Sequence, residues 1–210
     1  MTIDGAGIAT LYDDLGFHYK TFFPTLDEFV TGQANTGSIT HTPDKISLAS
    51  GSTTSSWAKV LKNTAYPLHL LTYDKNIFIR FRCVFNIFPD VNPASYIITA
   101  DATNHKHIGV SMYNNNLAAS IHTGTTRYQD TIVDCPGTGT EYDKIVEIKF
   151  YAGEKIEYWI DGVKLRTDTT NLPTGAFYDE NFLRIAVSNS NTTRDITMVL
   201  SMLELYQPAA

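Results

Sequence analysis

The chain has 210 residues, of which 43% are hydrophobic and 18% charged, with a formal net charge of −6. That length can bury a two-layer core without covalent staples, and single all-β units often reach it. The acidic balance and scattered basic residues exclude the footprint of a nucleic-acid binder and a polybasic membrane-surface patch, and no stretch approaches the ~18 apolar residues of a membrane-spanning helix.

Met1 to Thr10 lacks a basic stretch and an apolar run, so no secretory signal is read there. Residues 1–35 differ from the remainder. Leu11, Leu15 and Tyr19 stand at helical spacing, although Gly16 interrupts them. The expectation is an N-terminal arm or short helix that docks on the sandwich or on a neighbouring subunit, followed by one domain over residues 36–210.

From residue 36 the hydrophobic period becomes two. Strands are expected at Ser38 to Thr42, Lys45 to Ala49 and Trp57 to Leu61. The clearest is Ile77 to Phe88, where Ile77, Ile79, Phe81, Cys83, Phe85 and Ile87 share one face. Arg80 and Arg82 share the other. Further strands are expected at Ser95 to Ala100, His107 to Tyr113, Leu117 to Thr123 and Thr126 to Val133. Cys83 falls in a strand and Cys135 in an Asp-Cys-Pro-Gly turn, and they read as two thiols rather than a disulfide framework.

Ile145 to Leu165 reads as two successive hairpins. A loop at Ala152-Gly153-Glu154 sets Tyr151 opposite Lys155, Lys149 opposite Glu157 and Glu147 opposite Trp159. Asp161-Gly162 is a two-residue turn signal that sets Ile160 opposite Val163 and Tyr158 opposite Leu165. Leu183 to Ser188 and Asp195 to Gln207 close the series. In the last strand the apolar face runs from Ile196 to Met202 and then breaks, which calls for a bulge or for cover on both sides. About a dozen short strands separated by turns, with no interleaved helices, give an all-β fold: a two-sheet antiparallel jelly-roll sandwich.

The run Lys155-Ile156-Glu157-Tyr158-Trp159-Ile160-Asp161-Gly162-Val163 and the later Asn171-Leu172-Pro173-Thr174-Gly175 resemble the late part of concanavalin A-like lectin/glucanase (LamG-like) domains. Ile108 to Met112 with Leu117 to Ile121 resembles their central hairpin, and Leu200 to Leu205 their closing strand. The resemblance covers roughly residues 36 to 207. It implies the fold far more than any activity. Such domains occur in lectins, glycan-cleaving enzymes and surface proteins of viruses and bacteria. The Thr/Asn/Tyr-rich composition and the apolar arm resemble the virion-associated members most.

Glycan-cleaving members use a Glu-x-Asp-x-x-Glu strand motif whose carboxylates act as acid and nucleophile. Here Glu141-Tyr142-Asp143 would need its last Glu where Val146 stands, and Glu147 comes one residue late, on the opposite strand face. Glu141 and Asp143 read as turn residues. Glu147 and Glu157 could mimic an acid/base couple, but Glu157 facing Lys149 reads as a cross-strand ion pair. His105, His107 and His122 lack a completing ligand and read as surface histidines. Calcium would draw on Asp130, Asp134, Asn114, Asn115 and Asn116, which turn formation explains equally well.

The binding signal is aromatic. Trp159, Tyr151, Tyr113 and Tyr128 could stack on sugar faces, and Arg80 and Arg82 could read carboxylated sugars. Packing explains the same residues. The leading expectation is a non-catalytic structural or attachment domain of a virus or phage particle, at a virion or extracellular surface, with glycan or protein partners or a homo-oligomer. The alternatives are a carbohydrate-binding module and a glycan hydrolase or lyase. No catalytic residue, metal site or cofactor is assigned.

Overall fold

Strict alternation of buried and exposed residues, broken at a few bulges, organises the chain. The computed structural model describes residues 2–3, 9–13, 16–23, 25–27, 29–63, 71–86, 95–100, 106–113, 116–134, 141–177, 181–189 and 195–209. The strands are β1 (Thr2–Ile3), β2 (Ala9–Asp13), β3 (Gly16–Thr21), β4 (Phe29–Ala34), β5 (Ser38–Thr42) and β6 (Lys45–Ala49). Then come β7 (Trp57–Asn63), β8 (Ile77–Asn86), β9 (Ser95–Ala100), β10 (Lys106–Tyr113), β11 (Asn116–Thr123) and β12 (Arg127–Asp134). The chain continues through β13 (Glu141–Tyr151), β14 (Lys155–Ile160), β15 (Val163–Asp168), β16 (Asn181–Ser188) and β17 (Thr197–Pro208).

They form two antiparallel sheets, a jelly-roll sandwich, with no helix among the described residues. The ten-stranded sheet runs β1-β2-β3-β17-β8-β13-β14-β15, with β6 also on β17 and β5 on β6. The seven-stranded sheet runs β12-β11-β10-β9-β16-β7-β4. Between them lies one core. Ile77, Ile79, Phe81, Cys83 and Phe85 of β8 are buried there beside Val146, Ile148 and Phe150 of β13. Each such side chain contributes about 1.5–3 kcal/mol by leaving water. Cys83 is thus a core residue, and Cys135 lies outside the described residues.

The short helix expected around Leu11 and Tyr19 does not form. Leu11 belongs to β2 and Tyr19 to β3, which pair with each other, and β3 also pairs with β17. Phe17, Tyr19 and Thr21 alternate inward, so the period of two overrides a coincidental spacing of four. Within the same first 35 residues, β4 pairs with β7 of the other sheet.

The β13–β14 hairpin keeps the expected register, with Tyr151 opposite Lys155, Lys149 opposite Glu157 and Glu147 opposite Trp159. Asp161 and Gly162 both take positive φ, as a two-residue hairpin turn requires. Ile160 faces Val163, but a shift between Tyr158 and Trp159 sets Tyr158 opposite Arg166 rather than Leu165. In β17 a shift between Leu200 and Met202 changes the face, so Leu203 and Leu205 follow Met198 and Leu200 into the core.

Candidate functional site

Alternation in β8, β13 and β17 leaves a second set of side chains on the outer face of the ten-stranded sheet. The register aligns them in rows across the strands. One row reads Lys164, Trp159, Glu147, Arg80, Glu204 and Lys20. The next reads Glu157, Lys149, Phe78, Tyr206 and His18.

Rings touch across the strands. Tyr151 meets Phe78 edge-on at 6.1 Å, Phe78 lies parallel to Tyr206 at 6.1 Å, and Tyr206 meets His18 edge-on at 5.7 Å. All four residues are half-buried, so their outward surfaces form an apolar stripe across the sheet. Beside it runs an ionic stripe. Arg80 Nε lies 3.4 Å from Glu147, Lys149 Nζ 3.3 Å from the same carboxylate, and His18 Nε2 2.7 Å from Glu204. Between the stripes is a groove of about 430 Å³, lined by His18, Phe78, Arg80, Glu147, Glu204 and Tyr206, with Lys149 at its wall.

Of the residues singled out in the sequence, Arg80 lines this groove and Tyr151 touches its Phe78. Trp159 stands on the same face, but Lys149 Nζ lies 4.0 Å from its ring centroid, and its Nε1 donates to Glu157 at 3.2 Å. Arg82 also points outward, paired with Asp143 through two bonds of 3.2 and 2.9 Å. Glu141 and Asp143 are therefore strand residues of β13, not turn residues. Tyr128 and Tyr113 belong to the other sheet: Tyr128 is exposed on edge strand β12, and Tyr113 ends β10. The groove residues His18, Phe78, Glu204 and Tyr206 lie on three strands that come together only through the register of β17.

Glu157 does not pair with Lys149. It lies 3.0 Å from Lys155 and 3.4 Å from Lys164. The hydrogen bond from Lys155, helped by those from Lys164 and Trp159, holds its carboxyl below the usual range. His107 and His122 are not surface residues either. Both are buried, facing each other across β10 and β11 with ring centroids 5.6 Å apart. His105, Asn114 and Asn115 lie outside the described residues. Of the calcium candidates, Asp130 accepts from Arg166 at 2.6 Å and Asn116 Nδ2 donates to Thr131 at 3.3 Å. No cluster of three or more His, Cys, Asp or Glu among the described residues could hold a metal.

No protein-family model and no curated protein matches the sequence. Solved structures do match in shape. A prokaryotic β-1,3-1,4-glucanase (lichenase) from a mouse hindgut metagenome superposes with a TM-score of 0.64 at 10% identity, over 91% of this chain and 99% of that one. A protein of unknown function from Shewanella oneidensis MR-1 gives 0.61 at 11% identity, over 93% and 87%. A botulinum neurotoxin type C structure, described with two ganglioside molecules, gives 0.55 at 12% identity, over 85% and 43%. The chain thus spans less than half of that toxin chain. The virion setting that the family resemblance implied draws no support from these neighbours. What they share with this chain is the fold, a jelly-roll sandwich of the lectin and glucanase kind.

Proposed function

We propose that this domain is a non-catalytic glycan-binding module that holds a sugar chain in the groove on the outer face of its ten-stranded sheet. The carrying observation is the pairing of an aromatic stripe, Tyr151-Phe78-Tyr206-His18, with a polar stripe, Arg80-Glu147-Glu204, along one groove. Sugars present apolar C–H faces and hydroxyl edges, so a ring floor stacks the faces while charged walls bond the hydroxyls. Phe78 and Tyr206 are the floor. Arg80 and Lys149 donate, and Glu147 and Glu204 accept.

The non-catalytic reading rests on the surroundings of those carboxylates. An acid/base pair needs one carboxyl kept protonated by an apolar or like-charged setting. Glu147 lies beside Arg80 and Lys149, and Glu204 beside His18 and Lys20, so neither carboxyl has the apolar or like-charged setting of a general acid. Interaction with ganglioside molecules is what is described for the neurotoxin neighbour, and it supports the glycan-binding reading of this fold.

Affinity electrophoresis against a panel of plant, microbial and host polysaccharides tests the proposal. Retardation by at least one polymer, lost in Tyr206→Ala and Phe78→Ala with circular dichroism unchanged, is the expected result. Retardation that survives both substitutions would remove the groove. Release of reducing ends, abolished by Glu147→Gln, would replace the module with a hydrolase.

A further inference from the structure

Arg80 stands at the centre of the groove's ionic row, with Glu147 on one side and Glu204 on the other. Each of those carboxylates has a second cation of its own. Lys149 Nζ lies 3.3 Å from Glu147. Lys20 Nζ lies 3.6 Å from Glu204, whose other oxygen is 2.7 Å from His18. Arg80 reaches Glu147 only through Nε, at 3.4 Å, and its two terminal nitrogens hydrogen-bond to no described residue. Its side chain is half-exposed and lines the groove.

Arg82, two residues along the same face of β8, is the contrast. Both prongs of its fork are spent on Asp143, at 3.2 and 2.9 Å. Lys149 and Lys20 each answer one carboxylate, so the surplus positive charge of the groove is the Arg80 fork. An open guanidinium presents paired donors in one plane, which match a carboxylate.

The aromatic floor lies one step away. Phe78 precedes Arg80 by two residues on β8 and pairs with Tyr206, as Arg80 pairs with Glu204. Residues so spaced on a strand are about 6.8 Å apart. A pyranose stacked on Phe78 and Tyr206 sends an equatorial carboxylate sideways toward the Arg80 row. We infer, on the glycan-binding reading above, that the groove selects acidic saccharides, holding a hexuronate ring on Phe78 and Tyr206 and its carboxylate on the terminal nitrogens of Arg80. Glu147 and Glu204 accept the neighbouring hydroxyls. The same two carboxylates would repel a densely sulfated chain, so the match is to one carboxylate per contact.

Isothermal titration with oligosaccharides cut from pectate, alginate and hyaluronan, each beside its carboxyl-reduced neutral form, tests this selectivity. At least one acidic oligosaccharide should bind about tenfold or more tighter than its reduced form, the scale of a charge-assisted contact. Added salt should narrow the gap. Arg80→Gln should close it, and Arg80→Lys should keep part of it, because an ammonium retains the charge without the fork. Arg82→Gln should leave it open, and Tyr206→Ala should weaken both forms. Arg80→Gln should melt with the parent, since Arg80 is half-exposed and its terminal nitrogens hold no described partner. Equal binding of acidic and reduced forms, both weakened by Tyr206→Ala, overturns the selectivity and leaves the groove as a glycan site. A gap that persists in Arg80→Gln overturns the role of Arg80. Failure of every acidic oligosaccharide to bind overturns the selectivity too, while retardation by a neutral polysaccharide, lost in Tyr206→Ala, would still uphold the groove.

Discussion

Lys149 Nζ lies 4.0 Å from the centroid of the Trp159 indole and 3.3 Å from the Glu147 carboxylate. One lysine thus covers the most conspicuous aromatic residue of the outer face while helping to build the wall of the groove beside it. A cation over a ring in this setting is worth about 0.5–2 kcal/mol.

Trp159→Ala should therefore lower stability by about 1–2 kcal/mol while changing sugar retention less than Tyr206→Ala does. Parallel denaturation and affinity electrophoresis of the two variants check this. Equal loss of retention in both would extend the sugar site to Trp159.

Tyr158→Phe should stabilise the domain by about 1 kcal/mol. The Tyr158 hydroxyl is buried without a hydrogen-bond partner among the described residues, and burial raises its pKa well above the ordinary value. Removing the oxygen lifts that penalty and keeps the ring. A lower midpoint in urea for Tyr158→Phe would show that the hydroxyl has a partner in solution.

Gly37→Ala should cost about 3 kcal/mol or more, and Gly32→Ala far less. A Cβ at residue 37 would sit 2.0 Å from the Trp57 carbonyl oxygen, which is fixed in the β4–β7 ladder. At residue 32 the nearest atom is the flexible Lys59 Cε at 3.0 Å. Similar midpoints for the two variants in guanidinium would contradict the distinction.

Acid should weaken the fold through Asp143, Asp161 and Glu157. Their carboxyls are held below the ordinary range chiefly by hydrogen bonds from Arg82, Lys144 and Lys155 respectively. Groups with depressed folded pKa values contribute stability above their unfolded values and lose it as pH falls through the folded ones. Melting temperature should be flat from neutral pH to about 5 and fall below about pH 4, where free carboxylates titrate. The combined variant Asp143→Asn, Asp161→Asn, Glu157→Gln should flatten that fall, and an unaltered slope would assign it to other carboxyls. Asp143 and Asp161 are exposed whereas Glu157 is buried, so added salt should shrink the part of the effect that comes from the two aspartates.

The strands were legible because one buried face imposes a period of two, and Ser38–Thr42, Lys45–Ala49 and Ser95–Ala100 were readable to the residue. What escaped was set by irregularities and by distance along the chain. The shift at Tyr158 moved Leu165 away from its expected partner and left it exposed. His107 and His122 looked like surface residues because nothing local says that β11 is buried on both faces. Phe78 and Tyr206, the floor of the groove, are neighbours only through a register that pairs residues far apart in the chain. Trp159 and Arg80 were visible as candidates because strand alternation alone turned them outward.

The irregularity at Leu200 to Met202 divides one side of β17 in two. Before it, Thr197–Leu200 pairs with β6; after it, Leu203–Pro208 pairs with β3. Along its other side β17 pairs with β8 from Met198 to Tyr206. Residues made early in synthesis therefore wait, edge exposed, for a strand made roughly 150 residues later in the case of β6 and roughly 190 in the case of β3. Nearly all the ordering entropy of that sheet is spent before its most distant contacts repay it, which makes folding slow and the incomplete chain prone to mispairing. Shielding of the β3 and β6 edges on the nascent chain, rather than the stability of the finished domain, then governs the yield of folded protein.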